Sequence, residues 1–121
     1  MQEFIELKGA KVLRAKRSTN KHNDDQIIFE TNRGTWVMYH YRDCCESVYI
    51  EDINGDLDDL SGATILSIEE RTQDESQGYG EIMMWTFYDI RTTHGDVTIR
   101  WNGSSNGYYS VSVNFEPKGS K

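Results

Sequence analysis

The last third of the chain alternates apolar and polar side chains with a period of two, in "IMMWTFYDI" (82–90), "DVTIRWN" (96–102) and "YYSVSVNFE" (108–116). Only an extended backbone puts every second side chain on one face, so the pattern commits this region to strands. "TTHG" and "GSSNG" punctuate the runs, and their order predicts an antiparallel three-strand meander. Pro117 ends the last run where a strand tolerates proline, and 117–121 reads as a loose tail.

Upstream, the same reasoning gives a short apolar element, a break at Gly9, and a strand around 11–17. "STNKHNDD" (18–25) is a polar loop. "QIIFET" and "TWVMYHY" are two strands joined by the turn residues Asn32 to Gly34. "SVYIEDI" (47–53) and "ATILSIEERT" (63–72) read as further strands, and "QDESQGYGE" (73–81) as a loop. "NGDLDDLSG" (54–62) has the marks of one or two helical turns, with Asp56 as the cap and Gly62 as the stop. The expected fold is therefore α+β: mostly antiparallel sheet with one short helix, in a single domain covering 1–121.

A chain of 121 residues can bury one core without metals or disulfides. Only 36% of residues are hydrophobic while 12% are aromatic, so the apolar side chains are few and large, and burial completed in a homo-oligomer, a dimer or an assembly of dimers, fits. The net charge of −7 argues against binding to a DNA or RNA polymer and favours a soluble protein. No apolar run is long enough to span a membrane, and the N-terminus lacks a secretory pattern. Cys44 and Cys45 are adjacent, a spacing that disfavours their pairing, so two reduced thiols in a cytoplasmic protein are expected.

Alternation sorts the meander into two faces. Met83, Trp85, Phe87, Val97, Ile99, Trp101, Val111, Val113 and Phe115 form the expected core face, each contributing roughly 1.5–3 kcal/mol when fully buried. The opposite face carries Thr86, Tyr88, Ile90, Thr98, Arg100, Asn102, Tyr108, Ser110, Ser112 and Asn114. The stretch "RWNGSSNGYY" (100–109) has two Asn-Gly pairs where one hairpin needs a single turn. One explanation is a recess for a flat anion. Arg100 would grip phosphate, Tyr88, Tyr108 or Tyr109 would stack on a base, and Asn102, Ser105 and Asn106 would supply polar contacts. The other is an ordinary outer sheet face, where Thr, Tyr and Ser are common strand formers and an exposed Arg aids solubility.

Other constellations are weaker. His40, Cys44 and Cys45 lack the second ligand pair of a zinc site, and small cysteines packed at a chain turn explain them better. A cysteine nucleophile would need a base and an oxyanion site that spacing does not supply. Asp52, Asn54, Asp56 and Asp58 alternate like a calcium loop, but Leu57 and Ala63 stand where that loop needs Gly and Glu. Glu69 and Glu70 point to opposite faces of a strand. No Walker or dinucleotide fingerprint occurs, and no catalytic set, metal or cofactor is expected.

Two strings carry a resemblance: "YHYRDCCESVYIEDINGDLDDLSGATILSIEE" and "WTFYDIRTTHGDVTIRWNGSSNGYYS". They resemble a family of small phage and bacterial proteins with a "DCCE.V.IEDI.GDL.DL" block and a "WTFY…G.VTIRW.G.SNGYYS" block. That family is in turn similar to the first described type of Thoeris anti-defence protein. The resemblance implies a phage sponge in the host cytoplasm that binds cyclic ADP-ribose isomers, or cyclic oligonucleotides, and holds them without cleavage. The rival expectation is a module that inhibits a host defence protein by direct contact, since Tyr, Trp and Arg also favour protein interfaces.

Overall fold

The structure, a computed structural model, describes residues 2–76, 78 and 80–118. Nine strands occur among the described residues: β1 (Gln2–Glu3), β2 (Val12–Thr19), β3 (Asp25–Thr31), β4 (Gly34–Tyr39), β5 (Ser47–Asn54), β6 (Ile65–Asp74), β7 (Ile82–Thr92), β8 (Gly95–Ser105) and β9 (Asn114–Pro117). They form two antiparallel sheets, one in the order β1-β6-β7-β8-β5 and one in the order β2-β3-β4-β9.

The α+β expectation is overturned, because no α-helix exists among the described residues. The segment expected to be helical makes a single 3-10 turn, Leu57–Leu60, and a second such turn spans Ile5–Leu7. Asp56 does cap the first of these, accepting from the Asp58 N–H at 3.0 Å. Gly55 (φ 113°) and Gly62 (φ 82°) bracket the segment in left-handed backbone, leaving no room for a second turn.

The meander is also corrected. β7 and β8 form the expected hairpin, but β8 runs on to Ser105 and takes β5 as its other neighbour. Asn102-Gly103 is therefore strand, and Asn106-Gly107 alone makes a turn, with Gly107 at φ 97°. Gly103 is needed for a close approach: a Cβ there would stand 2.7 Å from the Val111 side chain. The chain crosses β8 at that point and leaves for the other sheet, where β9 pairs with β4. Pro117 lies opposite Trp36, and the Lys118 N–H donates to the Thr35 carbonyl at 2.8 Å, so the expected loose tail begins inside a strand. Residues 119–121 of that tail lie outside the described residues.

One apolar core lies between the sheets. The first sheet contributes Ile50, Ile68, Tyr88, Ile90, Ile99 and Trp101, and the second Val12, Ile27, Phe29, Trp36, Met38 and Phe115. On β8 the expected inner residues Val97, Ile99 and Trp101 are buried. On β7 the faces are exchanged: Thr86, Tyr88 and Ile90 point inward, while Met83, Trp85 and Phe87 lie outside. The cause is register. Thr92 pairs with Gly95 across a two-residue loop, so Tyr88 falls opposite Ile99 and Phe87 opposite Arg100. The buried phenol of Tyr88 is satisfied by the Glu70 carboxylate, and burial followed by that bond pushes its pKa well above the usual value.

Phe115 touches the rings of Phe4, Phe29, Trp36 and Tyr88, with centroids 4.9–5.7 Å apart. Phe115→Ala removes those contacts and leaves a cavity between the sheets. The expected loss is about 3–5 kcal/mol of unfolding free energy, measured by urea denaturation.

Candidate functional site

A recess of about 430 Å³ opens at the end of the β7–β8–β5 side of the first sheet. It is lined by Cys45, Ser47, Glu81, Ile82, Met83, Ser104, Ser105 and Asn106. Ser47 and Met83 both pair with Ser104, so small hydroxyls on neighbouring strands leave the hollow and methionine walls it. Among the described residues, Glu81 is the one carboxylate in the lining, and no lysine or arginine lines it.

Of the seven residues expected to bind ligand, Ser105 and Asn106 line this recess. Both also build its rim: Ser105 Oγ accepts from the Gly107 N–H at 3.1 Å, and Asn106 Oδ1 from the Tyr108 N–H at 3.0 Å. Tyr108 is 87% exposed, and Tyr109 is half-buried beside it. Asn102 is buried between its strand partners Trp85 and Tyr49. Tyr88 is completely buried in the core, which removes it as a stacking platform.

Arg100 lies away from the recess. Its Nε donates to Glu51 Oε1 at 2.7 Å, and its guanidinium sits 5.3 Å from the centre of the Trp85 ring. Arg71 repeats the arrangement, donating to Asp89 at 2.6 Å while covering Phe87 at 4.6 Å. The guanidinium expected to grip phosphate is thus already neutralised by a carboxylate. The Asp89 carboxyl is held below its usual range chiefly by the hydrogen bond from Arg71.

The loop beside the recess is fixed from beneath by Glu46. Its carboxylate is fully buried and accepts from the Asp43 N–H (2.6 Å), the Cys44 N–H (3.0 Å) and the His40 ring (2.7 Å). The other His40 nitrogen meets the Ser112 carbonyl at 2.6 Å, so each ring nitrogen faces an oxygen. Burial raises the Glu46 pKa, but the bonds from Asp43, His40 and Cys44 outweigh it and hold it at about 2. Arg42 adds bonds to the carbonyls of Cys44 and Glu46 and pairs with Asp24 at 2.7 Å. This network accounts for His40, whose ring nitrogens meet Glu46 and the Ser112 carbonyl.

Two further expectations change here. Cys44 and Cys45 are exposed rather than packed inside, and they are joined as a disulfide rather than held as two thiols. Among the described residues no three His, Cys, Asp or Glu side chains gather to hold a metal, and no helix is long and apolar enough to cross a membrane.

The sequence reasoning missed Cys45, Ser47, Glu81, Ile82, Met83 and Ser104. The length of the β7–β8 loop could have placed Met83 outside, but the pairing of Ser47 with Ser104 joins segments far apart in the chain.

A two-sheet β-sandwich with a small polar recess describes the molecule as a class. The family described as a domain of unknown function, DUF7448, matches residues 5–115, and the chain belongs to it. Comparison with curated proteins returned no match, and comparison with solved structures returned none.

Glu46 ties loop stability to pH. Its folded pKa of about 2 is below its ordinary value of 4.5, so its contribution is complete above the ordinary value and is lost as pH falls toward 2. Denaturation midpoints measured from neutral pH down to pH ~3 should fall in the wild type. Glu46→Gln keeps one acceptor oxygen in place of two; it should lower stability by about 1–3 kcal/mol at neutral pH and flatten that acid dependence.

Proposed function

We propose that this is a non-catalytic binding protein whose recess captures a small nucleoside-like molecule, the finer reading being a cyclic nucleotide immune signal such as a cyclic ADP-ribose isomer. The observation that supports it is the composition of the recess. Ser47, Ser104, Ser105 and Asn106 offer hydroxyls and an amide to ribose and base edges, and Ile82 and Met83 offer an apolar wall to a ring. A volume of about 430 Å³ suits a small molecule rather than a polymer. Glu81 accepts from hydroxyls or an exocyclic amine, and pyrophosphate would face the open side.

Sequestration without cleavage in the host cytoplasm, by a homo-oligomer, completes the proposal on the strength of the family resemblance. Among the described residues that line the recess, Glu81 is the one ionised side chain, and the lining offers its serine hydroxyls no histidine or lysine as a base.

A second reading, contact with a host defence protein, is favoured by the outer face of the first sheet. There Tyr49 and Met83 are exposed, and Trp85 and Phe87 lie under paired arginines, a composition suited to an interface.

Calorimetry with cyclic ADP-ribose isomers tests the first reading. Wild type should bind, Ser104→Trp should fill the recess and abolish binding, and Arg100→Ala should bind within about twofold of wild type. Heat-denatured complex should return the ligand intact. Absence of binding, with a stoichiometric host protein recovered through the face around Trp85, would establish the second reading instead.

A further inference from the structure

Positive charge is gathered in one segment. Residues 8–22 hold Lys8, Lys11, Arg14, Lys16, Arg17 and Lys21 and no acid, leaving 13 − 6 = 7 bases against 20 acids elsewhere. Most of this segment is β2, an edge strand. Beside it, Val12 bonds to Gly62 and Ala63 and the Leu57–Leu60 turn packs against the strand; from residue 13 to Thr19 the edge has no backbone hydrogen bond to a further strand among the described residues.

The cations on β2 differ in state. Arg17 reaches Asp25 and the Ile50 carbonyl, each at 3.4 Å. Arg14 and Lys16 have no ion pair and no hydrogen bond among the described residues, whereas Arg42, Arg71 and Arg100 are all held by carboxylates. Arg14, Lys16 and Ser18 line a shallow hollow of about 250 Å³ with Ile28 and Glu30 on the outer face of the second sheet. Leu13, 54% exposed, sits at the start of the same edge, where the register shifts.

We infer that the β2 edge is a docking site for an acidic, extended peptide segment of a partner protein, which adds to the second sheet as a further strand. An unpaired edge offers backbone donors and acceptors to an incoming strand. Strands share one pitch, so alternate side chains of the incoming segment stand at the same spacing of about 6.8 Å as Arg14 and Lys16. Glu or Asp at every second position would face both cations. Like charge excludes the β2 edge of a second copy, because its own lysines and arginines would lie opposite these. A peptide is favoured over a nucleic-acid strand because the site combines an open backbone edge and an exposed leucine with only two unpaired cations facing the hollow.

Fluorescence anisotropy of a labelled decapeptide alternating Thr and Glu, titrated with the full chain, tests the inference. Binding should weaken by about tenfold or more in half-molar salt, in the Arg14→Glu/Lys16→Glu variant, and when Gln replaces Glu in the peptide. A peptide N-methylated at alternate residues along one edge keeps its charge but cannot pair, and should also lose about tenfold or more. The double variant should still unfold cooperatively with only a modest drop in melting temperature, since Arg14 stands opposite Glu30 on β3 but neither side chain has an ion pair or hydrogen bond to lose. Failure of wild type to bind, or equal binding of the N-methylated peptide, overturns strand addition. Tighter binding of an oligothymidylate of equal charge, displacing the peptide, overturns the choice of partner.

Discussion

Phe115 is where the two sheets become one molecule. Its ring meets Tyr88 of the first sheet, Phe29 and Trp36 of the second, and Phe4 from the N-terminal segment. Edge and tilted ring contacts of this kind add to the area they bury. Placing Phe115 there requires β9 to lie against β4, and so requires the chain to abandon the first sheet after Ser105. The crossing passes over Gly103, where a side chain would strike Val111. The turn at Asn106-Gly107, the end of β8 and the recess beside it all follow from that departure.

Much of the strand pattern was legible because alternation is a local signal. The runs 26–31, 47–53 and 82–90 fall inside or almost match β3, β5 and β7. The inner face of β7 was misread because both of its faces are apolar enough to serve. Met83, Trp85 and Phe87 look more like a core than Thr86, Tyr88 and Ile90 do. The arbiter was the two-residue loop after Thr92, which sets the parity of every later pair. Tyr88 could then be buried because Glu70 on β6 receives its hydroxyl, a partner that alternation alone does not reveal. The helix was misread for a different reason: cap and stop residues were identified, but they stand too close together to hold more than a 3-10 turn. The third meander strand failed because partner choice is a tertiary property, settled by the Phe115 cluster.

The site was legible only at its rim. Ser105 and Asn106 announce a turn, and a turn beside a strand end is a natural wall for a hollow. Apart from Ser104 beside them on β8, the remaining lining comes from Cys45 just before β5 and Ser47 at its start, from β7 and from the segment just before β7, which the sequence separates widely. Arg100 was a reasonable phosphate ligand by type. Its partner, Glu51, lies on the neighbouring strand, and an arginine that also covers Trp85 serves to seal that ring from water. The Cys44-Cys45 loop drew attention as chemistry, yet its geometry is explained by the buried Glu46 carboxylate that gathers the loop N–H groups and the His40 ring.

Electrostatics then distinguishes the two sheets. On the first sheet, Arg71 and Arg100 are consumed by carboxylates, so that face presents aromatic surface under capped charge. Among the described residues the recess adds Glu81 and no cation, a lining that suits donors such as hydroxyls and amines better than phosphate. On the second sheet, Arg14 and Lys16 keep their charge unspent beside an open edge. A ligand with both ribose and pyrophosphate must therefore place its anionic end outside the recess. A partner that is purely acidic has no reason to approach the recess at all and a strong one to approach β2. The two surfaces lie on different sheets, the recess on the first and the β2 hollow on the second.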